Sequence, residues 1–171
     1  MAVEGMSEQA FVIWLQTLLG EDLHIHLHPE PLNGGGYESM YKEAVRLLKR
    51  EQRKSGDFAD RFLILDWDRE REDSWSLEKL RSEAAKSKIK AIVQKPNHEG
   101  LLLRLLPGKE RDCPDAGSVK RKLQIQWPSY EKPMNARDLS RKFSRDDLLR
   151  LARVDDELRR LLAGIGLKID Q

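Results

Sequence analysis

Phe62-Leu63-Ile64-Leu65-Asp66-Trp67-Asp68 decides how the rest of the chain is read. Its apolar run has no polar face, so a strand covered on both sides is expected, and such strands belong to parallel sheets with helices on each face. The run ends in acids. Ligand crevices in open α/β sheets lie beyond the carboxyl ends of strands, which puts Asp66 and Asp68 where chemistry is done. Working outward, Ile89 to Val93 reads as a second apolar strand that ends at Lys95-Pro96. Met1 to Val3 is a brief apolar start closed by Glu4-Gly5. Leu23, Ile25 and Leu27 alternate with His24, His26 and His28 ahead of Pro29, a period of two that predicts a further strand with one oily and one histidine face.

Helical periodicity fills the gaps between these strands. Ser7 is placed to cap a stripe of Ala10, Phe11, Ile13, Trp14, Leu15, Leu18 and Leu19 that stops at Gly20. After the Asn33-Gly34-Gly35-Gly36 loop, a helix is expected from Glu38 to Lys54. Ser74 or Ser76 opens another, through Ala85, and Asn97 opens a leucine-rich one that Pro107-Gly108 ends. Strands alternating with helices predict an α/β fold over residues 1–107, with a mainly parallel sheet flanked by helices. Beyond Lys109 strand signals vanish. Val119 to Trp127, Ala136 to Phe143 and Arg145 to Leu162 read as amphipathic helices, so residues 108–171 are expected as a basic helical extension packed on the same domain.

Composition narrows the function classes. The chain has 171 residues, 39% hydrophobic and 35% charged, with a mean hydropathy of −0.65. It carries no apolar run long enough to span a bilayer and no basic-then-apolar start, so a cytoplasmic protein with no membrane partner is expected. The single Cys113 excludes an internal disulfide and a cysteine-based zinc site. Lys+Arg at 31 nearly balance Asp+Glu at 29, but the balance is uneven along the chain. Residues 1–103 hold 15 basic and 18 acidic side chains, whereas 104–145 hold 11 and 5, a basic flank suited to a polyanion.

Four acids stand at junctions of strands and helices: Glu4 after the first strand, Asp66 and Asp68 after the buried one, and Glu99 just inside a helix. Carboxylates converging on one crevice are the hard oxygen donors that Mg2+ or Mn2+ takes, and such ions neutralise charge on a phosphodiester. Lys95, Arg104, Lys120, Arg121, Lys122 and Lys132 are the candidate phosphate contacts, each supplying charge without sequence information. Trp67, between the two Asp residues, is expected in the core. His24, His26 and His28 share a strand face at about 7 Å spacing, which suits either a chelating pair for zinc or a polar edge.

Three segments carry a resemblance. Val3-Glu4-Gly5-Met6-Ser7-Glu8 resembles the V-E-G-x-[ST]-E opening of TOPRIM-type domains, and Leu63 to Arg69 resembles their apolar strand followed by D-x-D. Pro96-Asn97-His98-Glu99-Gly100-Leu101-Leu102 is similar to the P-x-x-E-x-x-L segment of RloB-like proteins, a TOPRIM group associated with bacterial restriction and anti-phage loci, and Tyr130-Glu131-Lys132 to the Tyr-x-Lys element of their basic tail. The resemblance implies a metal-dependent nuclease acting on DNA or RNA in a defence or mobile-element system. Glu4, Asp66, Asp68 and Glu99 are then catalytic, with Glu4, Asp66 and Asp68 on one or two Mg2+ or Mn2+ ions. It also implies nucleic acid and a partner ATPase or other defence subunit as partners. The alternative is a silent TOPRIM-fold subunit that binds nucleic acid or the ATPase.

Overall fold

The computed structural model describes residues 1–23, 25–32, 34–68 and 74–169. In chain order the elements are β1 (Ala2–Val3), α1 (Met6–Leu19), β2 (Glu30–Pro31), α2 (Tyr37–Ser55), β3 (Phe62–Asp66), α3 (Leu77–Lys86), β4 (Lys90–Gln94), α4 (His98–Leu105), α5 (Ala116–Gln126), α6 (Ala136–Lys142), α7 (Arg145–Ala152) and α8 (Asp156–Gly164). The four strands form one parallel sheet in the order β2-β1-β3-β4, and among the described residues eight helices flank it. This is an α/β protein.

β3 is buried at every residue because each sheet face has its own core. Val3, Phe62, Ile64 and Ile92 face α1 and the helices from α4 onward, while Ala2, Leu63, Leu65 and Ala91 face α2 and α3. The apolar residues of the 108–171 extension, including Leu123, Leu139, Leu148 and Leu162, join the same core as Phe11 and Leu102.

Topology sets where a site can form. α1 connects β1 outward to β2 on one face, whereas α2 and α3 carry the chain back over β1 to β3 and on to β4 on the other face, as right-handed crossovers require. The connections leave β1 and β3 in opposite directions. Between their carboxyl ends lies the topological switch point, and Glu4 and Asp66 stand at its two lips.

The outer edge of β4 is closed by side chains rather than by another strand. Glu157 Oε2 accepts from Val93 N at 3.0 Å on that edge, and Arg104 Nη2 donates to Lys95 O, just past the strand, at 3.1 Å.

Four sequence expectations are corrected. The histidine segment is not a strand: Leu27 N donates to Gln16 Oε1 at 2.6 Å and Leu23 N to Leu19 O at 3.0 Å, so its backbone is tied to α1. Leu23 and Leu27 are still buried, which is why they alternate. The strand that pairs with β1 is instead the two-residue β2. α1 starts two residues earlier than a Ser7 cap implies, with extended Gly5 as its N-cap. Arg145 to Leu162 divides at Asp155, whose carboxylate accepts from Leu158 N at 2.7 Å and starts α8 afresh. Trp67 is 40% exposed, because the chain leaves the strand at Asp66 and strand alternation no longer governs the next residue. No helix among the described residues is long and apolar enough to cross a membrane.

Candidate metal centre

Glu4 is held from both ends. Its N–H donates to Ile64 O at 3.0 Å, carrying the β1 ladder one residue past the strand, and its Oε2 accepts from Asp66 N at 2.9 Å. The two acids separated by 62 positions are thereby locked together at the switch point. A two-residue strand suffices because both neighbours pair with it. Asp68 is tied to the next turn: its N–H donates to Pro96 O at 3.1 Å, and Asn97 Nδ2 donates to its Oδ2 at 3.4 Å. Asn97 also caps α4, accepting from Gly100 N at 3.2 Å, which places Glu99 in the helix's first turn. Glu8 occupies the first turn of α1. Two helix N-termini therefore face the cluster, where their dipoles favour negative charge.

Glu4, Glu8, Asp66 and Glu99 are all buried. Burial, then the charges of Glu4, Glu8 and Asp68, push the Asp66 carboxyl well above the usual range, with Lys132 opposing. Asp66 Oδ1 is buried without a hydrogen-bond partner. Glu99 goes the other way: burial raises it, but the Lys132 ammonium, 3.0 Å from its Oε1, outweighs burial and holds it below the ordinary glutamate value. Lys132 is held up in turn, burial being outweighed by Glu99, Glu8 and Asp66. The same burial and acids raise the Tyr130 phenol, which stays protonated beside Glu99 with no well-formed hydrogen bond to its hydroxyl.

His98 is fully buried, edge-on to Phe11 with ring centroids 5.8 Å apart. Its Nδ1 lies 3.0 Å from Gln94 Oε1 and 3.8 Å from Glu8 Oε1. Burial lowers its proton affinity against the pull of Glu8 and Glu99, so the ring is neutral at pH 7. Gln94, assigned with its oxygen inward, makes Nδ1 the protonated nitrogen.

Glu8 and His98 were not singled out from sequence. The signal for Glu8 was there: it stands three residues before Phe11 and seven before Leu15, on the buried side of its own helix, where a carboxylate requires a reason. We expect Glu8→Gln to weaken Mn2+ binding about 10- to 100-fold, the cost of losing a supporting group near an ion. Isothermal titration of the folded variant checks this, and unchanged affinity removes Glu8 from the centre.

Gly100 is required by close approach. A Cβ there would meet Pro96 Cδ at 2.4 Å and Lys95 O at 2.8 Å, so only glycine seats the first turn of α4, and with it Glu99, against that turn. Gly100→Ala should destabilise the protein by about 1–3 kcal/mol, as overpacking does, read by urea unfolding.

The candidate phosphate contacts divide. Lys95 is exposed, its Nζ 5.9 Å from the Trp67 ring centroid, and Lys120, Arg121 and Lys122 are exposed on α5 away from buried Val119 and Leu123. Lys132 is engaged by Glu99 but remains 43% exposed at the rim. Arg104 is an internal clamp, with its side chain 13% exposed and paired with Asp155. His24 lies outside the described residues. His28 Nε2 sits 3.0 Å from Glu30 Oε1, and with Glu51 these make a trio of ligand atoms within 4.8 Å. Arg50 and Lys54 already neutralise Glu51, at 2.9 and 3.0 Å.

The acids at this end of the sheet offer oxygen donors, the kind Mg2+ or Mn2+ takes, whereas among the described residues the group whose ligand atoms all lie within 4.8 Å of one another is His28, Glu30 and Glu51. A scan against models of known protein families, a search of curated proteins and a search of solved structures each found no match.

Proposed function

We propose that this chain is a magnesium- or manganese-dependent phosphodiesterase acting on nucleic acid, with the TOPRIM-type, RloB-like character that its V-E-G-x-[ST]-E, D-x-D and P-x-x-E segments resemble. The observation that carries this reading is Asp66: a carboxyl buried among Glu4, Glu8 and Asp68, with one oxygen lacking any partner. Such an arrangement is costly unless a cation completes it.

Glu4, Asp66 and Asp68 are the residues that would hold the ion, which would supply positive charge to the non-bridging oxygens of a phosphodiester. Glu4 also keeps one oxygen on the Asp66 amide, which ties its side chain to the end of β3. The exposed part of Lys132 gives the rim a fixed ammonium that meets an incoming phosphate while Glu99 orients it. Because Asp66 holds its proton tightly, cation binding releases that proton, and affinity rises with pH. The resemblance further suggests a bacterial defence or mobile-element setting with an ATPase partner.

A second reading, a silent binding subunit, draws on the Lys132 ion pair, which already places one positive charge against Glu99. Purified protein assayed with Mn2+ or Mg2+ on DNA and RNA separates the two. Metal-dependent cleavage by wild type supports the enzyme. Nucleic-acid binding without cleavage, alone and with the products of neighbouring genes, supports the subunit.

A further inference from the structure

We infer that the outer face of α2 is a docking surface for the phosphate backbone of a double-stranded nucleic acid, separate from the metal centre and from the basic stretch 104–145. α2 buries Met40, Ala44, Leu47 and Leu48 against the sheet. On the opposite face Lys42, Arg46, Lys49, Arg50 and Arg53 follow one another at helical spacing in a single ridge. Glu38, Glu43 and Glu51 flank the ridge and pair with Lys42, Arg46 and Arg50, so the helix sets six cations against three acids and keeps a positive excess on this face.

The ridge is open. Lys42, Arg46 and Arg50 have side chains 68%, 76% and 56% exposed, and each leans on a flanking acid: Glu38 at 2.6 Å, Glu43 at 2.6 Å and Glu51 at 2.9 Å. Those contacts fix the side chains while leaving guanidinium donors free. Lys49 and Arg53 make no ion pair among the described residues. A shallow cleft of about 340 Å3 lies between Arg46, Leu47, Lys49, Arg50 and Arg53.

Spacing identifies the occupant. At 1.5 Å per residue, Arg46 to Arg53 spans about 10.5 Å, and one strand of a duplex carries a phosphate every ~3.4 Å along its axis, so the ridge matches about three phosphates. An anionic membrane is the poorer fit, because surface-lying helices insert an apolar face and that of α2 is already buried in the core. Tyr37 at the start of α2 donates to Asp66 O and Trp67 O at 3.3 and 3.0 Å, and the ridge runs from about 7.5 Å at Lys42 to about 24 Å at Arg53 down the helix from Tyr37, so it leads away from the acidic end of the sheet.

This inference takes its partner class from the nuclease reading and does not need cleavage. The test is fluorescence anisotropy of a 20-base-pair DNA duplex in EDTA over a range of KCl concentrations. Wild type is compared with Arg46→Gln/Lys49→Gln/Arg53→Gln, whose changes lie on an exposed face and whose fold is checked by circular dichroism. Losing three phosphate contacts should flatten the slope of log affinity against log salt by about 2.7 and weaken binding more than 10-fold at 100 mM KCl. An unchanged slope, or no binding by wild type, overturns the proposal. So does a variant that loses affinity for phosphatidylserine vesicles but not for the duplex. Ridge-dependent binding by a protein that never cleaves would end the nuclease reading and leave this surface standing.

Discussion

Asp66→Asn should reduce metal-dependent cleavage by about 1,000-fold or more and, in the same molecule, raise the melting temperature of the metal-free protein. The first effect follows from the loss of a carboxylate that holds the cation: several kcal/mol of charge stabilisation disappear, and each 1.36 kcal/mol is tenfold in rate. The second follows from burial and from Glu4, Glu8 and Asp68, all of which oppose a charge at this position. An acid whose folded pKa is raised contributes its full stability below the unfolded value of about 3.9 and loses it as pH climbs toward the folded value. Asparagine has nothing to lose. The gap in melting temperature between variant and wild type should therefore open as pH rises from about 4, each kcal/mol relieved being worth about 2–4 °C in a chain of this size. Thermal circular dichroism from pH 4 to 8 in EDTA measures it, and Mn2+ should then stabilise wild type far more than the variant. A variant that cleaves normally, or that melts below wild type in EDTA, defeats the metal-centre reading. Because a contaminating nuclease cleaves equally in both preparations, the paired assay also controls for purity.

Arg104→Met should cost about 3–5 kcal/mol of stability, the usual penalty for stranding one member of a buried ion pair. Arg104 is bonded to Asp155, which caps α8 through Leu158 N, and its remaining donors go to Lys95 O at 3.1 Å and Gly100 O at 3.3 Å. One guanidinium thus joins the end of β4, the helix that bears Glu99, and the helix that covers the sheet edge. The double variant Arg104→Met/Asp155→Asn should recover part of the loss, since the uncompensated carboxylate is removed with its partner. Urea unfolding reads both. If Arg104→Met instead unfolds like wild type and only weakens nucleic-acid binding, Arg104 is a phosphate contact after all and not a clamp.

What the sequence determined by itself is whatever depends on near neighbours along the chain. The apolar run of β3 and the shorter one of β4 needed two-sided cover, and that implied parallel strands with helices on both faces. Helix starts were legible at Asn97 and, to within the choice of Ser74 or Ser76, ahead of α3, because a side-chain oxygen accepting from an amide three residues on is a local event. Position at the carboxyl edge was legible too, since Glu4 follows its strand directly and Asp66 ends its own. The His24 to His28 alternation shows where local pattern misleads: burial of every second residue is satisfied as well by a segment hydrogen-bonded to α1 as by a strand. Averaging misleads similarly, for the acidic excess over residues 1–103 concealed that α2 gathers five cations on one face.

Only the tertiary structure decided which groups share an environment. The crossovers bring Glu8 and His98 from separate helices to within 3.8 Å, and Lys132 across 33 positions to Glu99. Proton affinities at Asp66 and Glu99 then move in opposite directions, although both are buried carboxyls at element ends, because one lies among acids and the other beside an ammonium. The same long-range packing turned Arg104 inward and left Trp67 at the surface. The physical reason is range: periodicity and capping act over one turn of chain, whereas desolvation and Coulomb interactions act through space between residues that folding alone makes neighbours.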